Sequence, residues 1–400
     1  MKKISIIFIA MLLFQMTGVA QNVKDQKVTF KYIQLPLQPL KGISNYKITV
    51  DQTAIERLNN DSLDVYNAKL VAMEAQYDNW LAQKKRMDKA YLLEMAKYEK
   101  AVNAGNTSTP VPQKPNYPPQ PSRAELPMPI LSQEVAVNDV ENKVKLEGFS
   151  KGSNGVEISI SLLGFQNATF EVKQKKSTTK IDYTYSSKAK YPVRVKVIVP
   201  NKGVLLDQIV GDELITKKIK TYQSKYEFDY WKIDSLESFW NRRQKEILNE
   251  SLQKAYNIVN SNFGFPLISY TTHIYTVKKF KNHNYNDLID AYTYVSSGYN
   301  LIKNNKNHSQ AIPKIKRGVS VWEKALSESN LSDSKSRINK KVTALLYYNL
   351  AEAYMWMNDF DKAENYRIKA EQAGVLKYKS KAKKLEKLML DLKQRYLVNA

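Results

Sequence analysis

The chain has 400 residues, with 62 Lys and Arg against 39 Asp and Glu, a formal net charge of +23. It has no Cys, which excludes disulfides, thiolate metal sites and thiol catalysis. Stability must come from packed cores, and the length suffices for two or three domains of ordinary size.

The first twenty residues carry Lys2 and Lys3, an apolar run from Ile4 to Met16, and the small residues Gly18, Val19 and Ala20. This pattern predicts a secretory signal peptide over residues 1–20, with a mature chain starting near Gln21. The run falls short of the ~20 residues that span a bilayer. An uncleaved N-terminal anchor is the other reading. No later stretch approaches spanning length, so no transmembrane segment is expected in the mature chain. The Lys residues are spread along the chain and interleaved with Asn, Ile and Tyr. They read as a solvated face or as a contact for an anionic partner: phospholipid headgroups, lipopolysaccharide or acidic protein. An exported protein meets little nucleic acid, so no nucleic-acid partner is expected.

Residues 21–60 read as N-terminal strands, with Val28, Phe30, Tyr32 and Ile33 and then the alternation Tyr46 to Val50. Residues 61–106 predict one long amphipathic helix. Asp61 or Ser62 is the expected cap. A seam at spacings of three and four follows through Leu63, Tyr66, Leu70, Met73, Tyr77, Trp80, Met87, Tyr91 and Tyr98. The seam is rich in Tyr. It fits packing within the chain or on a different partner, and a self-associating coiled coil is the alternative. Residues 107–130 form a Pro-rich linker, read as a semi-rigid strap returning from the helix tip.

Residues 131–232 predict a β-sandwich-like domain, from alternating runs at 144–149, 156–163, 169–172, 181–185, 193–199, 204–209 and 222–230. Gly152-Ser153-Asn154-Gly155 and Pro200-Asn201-Lys202-Gly203 mark turns. Residues 233–285 predict a helix and one more strand. Asp234 opens the helix with Glu237 as its capping box, and the strand covers 265–277.

Residues 286–400 predict a helical domain. Its clearest unit runs from Ala344 to Ala370, with Tyr347, Leu350-Ala351, Tyr354, Asn358, Phe360, Ala363 and Tyr366. Small Ala351 and Ala363 let two helices approach, Tyr354 and Phe360 fill the space between them, and Asn358-Asp359 makes the turn. This unit resembles the tetratricopeptide repeat, departing from it at the turn Gly (here Asn358) and at the terminal Pro. Trp322 to Leu326 looks like the second helix of a weaker, earlier unit. The resemblance covers about 110 residues and implies an all-α array there; with the strand and helix patterns before it, the chain reads as α+β, a β-sandwich-like domain with a long helical excursion followed by that array. The resemblance also implies a groove for a protein partner. The candidate groove residues are Tyr347, Tyr354, Trp356, Asn358 and Tyr366, with Lys362 and Arg367 as anion contacts.

The signal-peptide pattern and the Lys, Asn and Tyr bias resemble exported proteins of the Bacteroidetes envelope. That resemblance implies the periplasm or the periplasmic face of the outer membrane, and a part in secretion or surface machinery. It also implies O-glycosylation at Ser62 and Ser235, in the two Asp-Ser-Leu triplets. Both triplets stand at expected helix starts, where capping alone accounts for them.

No phosphate loop, nucleophile elbow or metal-binding His pair occurs around His273, His283 and His308. No catalytic residue, cofactor or metal is expected. The chain reads as a non-catalytic exported scaffold or adaptor. The rival readings are a glycan- or anionic-surface binder using the β-domain, and an enzyme.

Overall fold

The computed structural model describes residues 22–400, except 107, 109, 123–125, 281 and 303–304, and gives only backbone for 22 and 305–308. The expected signal peptide lies outside the described residues. The protein is mixed α/β, 50% helical and 25% strand, with open sheets and eight helices among the described residues. It divides into two compact units. One comprises the residues up to Tyr46, Leu146–Gly152 and Asn257–Ala400; the other comprises Lys47–Lys145 and Ser153–Tyr256.

In the first unit, β1 (Asn22–Ile33) pairs antiparallel with β10 (Leu267–Lys279), with Phe30 opposite Tyr270 and Thr29 opposite Thr271. An isolated two-stranded ribbon is marginal in water, and this one is supported by helices. Its outer edge at Tyr275 is closed by a side chain. Asn349 Nδ2 donates to Tyr275 O at 2.8 Å, and Tyr275 N donates to Asn349 Oδ1 at 3.1 Å. The amide thus supplies the donor and acceptor that a third strand would supply.

Five helices follow: α4 (Asn286–Tyr299), α5 (Asn305–Leu326), α6 (Lys340–Trp356), α7 (Phe360–Gln372) and α8 (Leu376–Asn399). They pack α4 on α5, α6 on α7, and α7 on α8. Gly298 and Gly318 set the first contact. A Cβ on Gly318 would stand 2.6 Å from Ala291 O, and one on Gly298 2.5 Å from Ile315. Asn339 caps α6 by accepting from Lys341 N and Val342 N. Asp359 caps α7, and Asn358 makes the turn between them at φ +62°, a conformation Asn adopts more readily than most residues. Arg395 of α8 donates to Leu35 O and Ser261 O, both at 2.7 Å, tying the last helix to two earlier segments. β3 (Ser150–Lys151) pairs parallel with Asn45 and Tyr46.

In the second unit the continuation of β2 (Asn45–Asp51), β4 (Val156–Leu162), β7 (Val193–Val199) and β8 (Gly203–Val210) are neighbours in that order. Val156, Ile158, Ile160 and Leu162 are buried and their neighbours half-buried, the period-two signature of a strand on a core. A second sheet orders β5 (Gln166–Lys176), β6 (Ile181–Lys190) and β9 (Ile215–Tyr222). The N-terminal part of α3 (Lys225–Asn262) packs beside it, with Phe228 stacked on Tyr185 at 3.7 Å and on Trp231 at 5.2 Å.

The long helix α1 runs from Thr53 to Asn103, 51 residues, with Ile55 its buried residue. The Pro-rich segment returns along its seam. Trp80 Nε1 donates to Pro118 O at 2.9 Å, Tyr117 donates to Asp88, and Lys84 lies over the Trp80 and Tyr117 rings. Three side-chain amides then hold the returning backbone. Asn59 brackets Ser132, Gln52 brackets Val135, and Gln244 bonds Leu131 O and Gln133 N.

Four sequence expectations are corrected. α1 starts at Thr53, not at 61, so 53–60 is helix rather than strand. Asp51 Oδ1 accepts from Thr53 N at its start, and Asp61 and Ser62, the expected caps, lie inside the helix. α3 starts at Lys225, not Asp234, so 225–230 is helix rather than strand. Phe228 stacks on Tyr185 of the β5–β6–β9 sheet instead of pairing in it, while Tyr226 and Tyr230 face outward at 76% and 72% exposure. Asp234 and Ser235 are therefore interior helical residues, not caps. Finally, 144–149 is no strand; α2 (Val137–Lys143) precedes it and the segment turns.

Asn349→Leu keeps the side-chain size and leaves the buried N–H and C=O of Tyr275 without partners. The expected loss in urea denaturation is about 2–5 kcal/mol with little change in m. A loss below about 1 kcal/mol would show that the ribbon edge does not depend on the amide.

Candidate functional site

The expected groove residues divide into two groups. Tyr347 and Tyr354 sit seven residues apart on α6, two helical turns, and Tyr366 faces them from α7. Tyr354 and Tyr366 both donate to Glu323 Oε1 of α5, at 2.7 and 2.9 Å. Their rings stack at 5.6 Å with 8° between planes, and Tyr347 lies 6.1 Å from Tyr366. Burial, followed by the Glu323 carboxylate, pushes both phenols above their usual range, so they stay neutral donors at ordinary pH. Lys362 Nζ lies 5.0 Å over the Tyr354 ring and Lys369 Nζ 5.3 Å over the Tyr366 ring. The result is a fixed aromatic face, held from behind by one carboxylate and edged by two ammonium groups. Tyr347 and Tyr366 are half-buried and both lysines exposed.

The other three are placed elsewhere. Trp356 is 4% exposed and packs on Tyr32, Phe30 and Tyr270 at 4.9–5.2 Å. It is a core residue, not a groove residue, because the β1–β10 ribbon covers that side of α6. Asn358 serves the backbone turn. Arg367 is 6% exposed and bonds Glu364 and Glu371, with Glu386 at 3.6 Å. Its cation is already neutralised within the chain, so it is not an anion contact.

Ser62 is half-buried and donates to Leu58 O at 2.8 Å; Ser235 is half-buried on α3. His273 pairs with Asp25 on the neighbouring strand, and His283 Nε2 lies 3.0 Å from Lys335 O. The His308 side chain lies outside the described residues. Among the described residues no group of three or more His, Asp or Glu side chains could hold a metal ion, and no helix is long and apolar enough to cross a membrane. A cavity of about 660 Å³ in the second unit is lined by Gln133, Asp139, Lys143, Tyr191, Gln244 and Lys245 among others.

One group escaped the sequence reading. Glu352 of α6 is 1% exposed, under the ribbon. Burial pushes its carboxyl up to about 7, while Thr272, Tyr348, Trp356 and Tyr270 around it pull the other way. Its Oε1, like Thr272 Oγ1 and Trp356 Nε1, has no partner in strict hydrogen-bond geometry among the described residues. The one available signal was a lone carboxylate in the otherwise apolar stretch Leu350 to Trp356.

No family of known proteins, no curated protein and no solved structure matches the chain.

Glu352 gives the first unit a pH dependence of definite sign. Between the unfolded carboxyl value of 4.5 and the folded value of about 7, the folded state holds a proton that the unfolded state lacks. Stability therefore falls as pH rises through that window. Denaturation of the natural chain between pH 5 and pH 8 should lose up to about 3 kcal/mol more than Glu352→Gln loses. Equal slopes would mean that the buried carboxyl is not held neutral.

Proposed function

We propose that this chain is a non-catalytic exported scaffold, a tetratricopeptide-type adaptor that binds protein partners in the bacterial envelope and serves in assembly of a secretion or surface machinery. It acts in the periplasm or on the periplasmic face of the outer membrane. In this reading α4 to α8 form the repeat array, and the two sheets of the second unit form the β-sandwich. The observation that carries it is the tyrosine face of α6 and α7. Rigid aromatic area costs little side-chain entropy on binding, and aromatic residues are enriched where partners dock. Glu323 holds two of the three rings in one geometry before any partner arrives. Lys362 and Lys369 suit a partner that brings carboxylates to its rim.

A photo-crosslinking amino acid placed at Asn365, an exposed position of α7 beside Tyr366, should trap an envelope protein in intact cells. The same adduct should weaken at least about tenfold with Lys362→Glu and Lys369→Glu together. An adduct unchanged by the charge reversal, or self-adducts only, would refute the docking face.

A second reading has its own observation. The register of β5, β6 and β9 puts Lys173, Lys175 and Lys218 on one outer face with Thr184 and Ser186, and with Glu171 and Asp182, whose charges are taken up by Lys188 and Lys180. Lys173, Lys175 and Lys218 are exposed, and no ion pair engages them among the described residues. Such a face fits anionic lipid headgroups or acidic glycans. Flotation with anionic liposomes, lost at raised salt and on Lys→Glu at the three positions, is the expected outcome. Equal behaviour with neutral liposomes would dismiss it.

A further inference from the structure

α1 has two faces with different fates. Its seam of Tyr, Met and Leu is half-buried under the Pro-rich return, so the seam is not available to another helix. At about 100° per residue, the opposite sector contains, beyond Glu56 and Arg57 near the helix start, Asp61, Asp64, Glu74 and Asp78 in the N-terminal half. In the C-terminal half the same sector contains Lys85, Arg86, Lys89, Lys97 and Lys100, with no acid. These nine side chains, from Asp61 onward, are exposed, and none makes an ion pair or hydrogen bond among the described residues. Val71, Leu92 and Leu93 lie in the same sector at 65%, 66% and 60% exposure.

We infer that this face pairs antiparallel with the same face of a second copy of the chain. The charge pattern selects the occupant and its direction. A parallel copy would set acid on acid and base on base. An antiparallel copy centred on Ala82 sets Asp78 near Arg86, Val71 near Leu93, and Asp64 near Lys100. Each contact occurs twice about the two-fold axis. Ala68, Ala75 and Ala96 lie between the charged positions, so the partner helix is not held off by bulk. Exposed ion pairs are individually weak and screened by salt. They therefore supply direction and salt dependence, and the apolar pairs supply the residual attraction.

The chain has no Cys, so single introduced cysteines report the pairing directly. In full-length mature protein oxidised at low salt, Ala82→Cys should form a covalent dimer. Asp64→Cys and Lys100→Cys should each stay monomeric alone and cross-link when mixed. In sedimentation equilibrium, the natural chain should associate at about 100 μM and lose about tenfold in affinity at about 0.5 M salt. Lys85→Glu with Lys89→Glu should be monomeric and should associate again when mixed with Glu74→Lys, Asp78→Lys. That rescue excludes misfolding as the cause of the loss. A natural chain that stays monomeric at this concentration in low salt would overturn the proposal. So would efficient self-cross-linking of Asp64→Cys, the mark of a parallel pair.

Discussion

An unpaired buried peptide edge is the constraint that shapes this molecule. Among the described residues the β1–β10 ribbon has two strands and no third, and the segment returning from α1 belongs to no sheet. In both places Asn or Gln side chains complete the backbone. Asn349 serves Tyr275, Gln52 serves Val135, Asn59 serves Ser132, and Gln244 serves Leu131 and Gln133. A carboxamide offers one acceptor and two donors, so it can face a peptide group as a neighbouring strand would. Each pairing joins residues 73 to 113 positions apart, so the local edge is closed only once the units have formed.

The same ribbon explains the interior of the helical array. It brings Phe30, Tyr32 and Tyr270 onto Trp356 and closes over Glu352. A helix with apolar residues almost all round is a buried helix, and α6 is buried from Val342 to Trp356 apart from Tyr347. Tyr347 is where α6 reaches the surface, beside Tyr366 and the Glu323-locked Tyr354. The proposed docking face is thus the one side of α6 that neither the ribbon nor its neighbouring helices cover. On α1 the covering is reversed. The strap takes the aromatic seam and leaves the charged sector outward.

Much of this was legible in residue order. The long helix, the Pro-rich return, most strands of the second unit and the helical C-terminal region follow from period, length and punctuation. The misplaced starts of α1 and α3 share a cause. Asn59, Asp61, Ser62, Asp234 and Ser235 are residues that favour caps and turns in isolation. Asn59 is held within a helix by a bond to Ser132, and the α3 start by stacking of Phe228 on Tyr185. Long-range contacts outweighed local preference.

The sequence by itself determined most of the helical and extended segments though not the starts of α1 and α3, that no thiol chemistry is available, and that α1 carries opposite net charge in its two halves. These depend on neighbours a few residues apart along the chain. Tertiary structure alone decided that Trp356 and Arg367 are interior, that Glu352 is a buried carboxyl pushed up by that burial, and that the seam of α1 is occupied while its charged sector is open. A tyrosine or tryptophan pattern reads the same whether the facing surface is solvent, a strap or a strand. Only the element that packs against it, hundreds of residues away for Trp356 and the β1 ribbon, settles which.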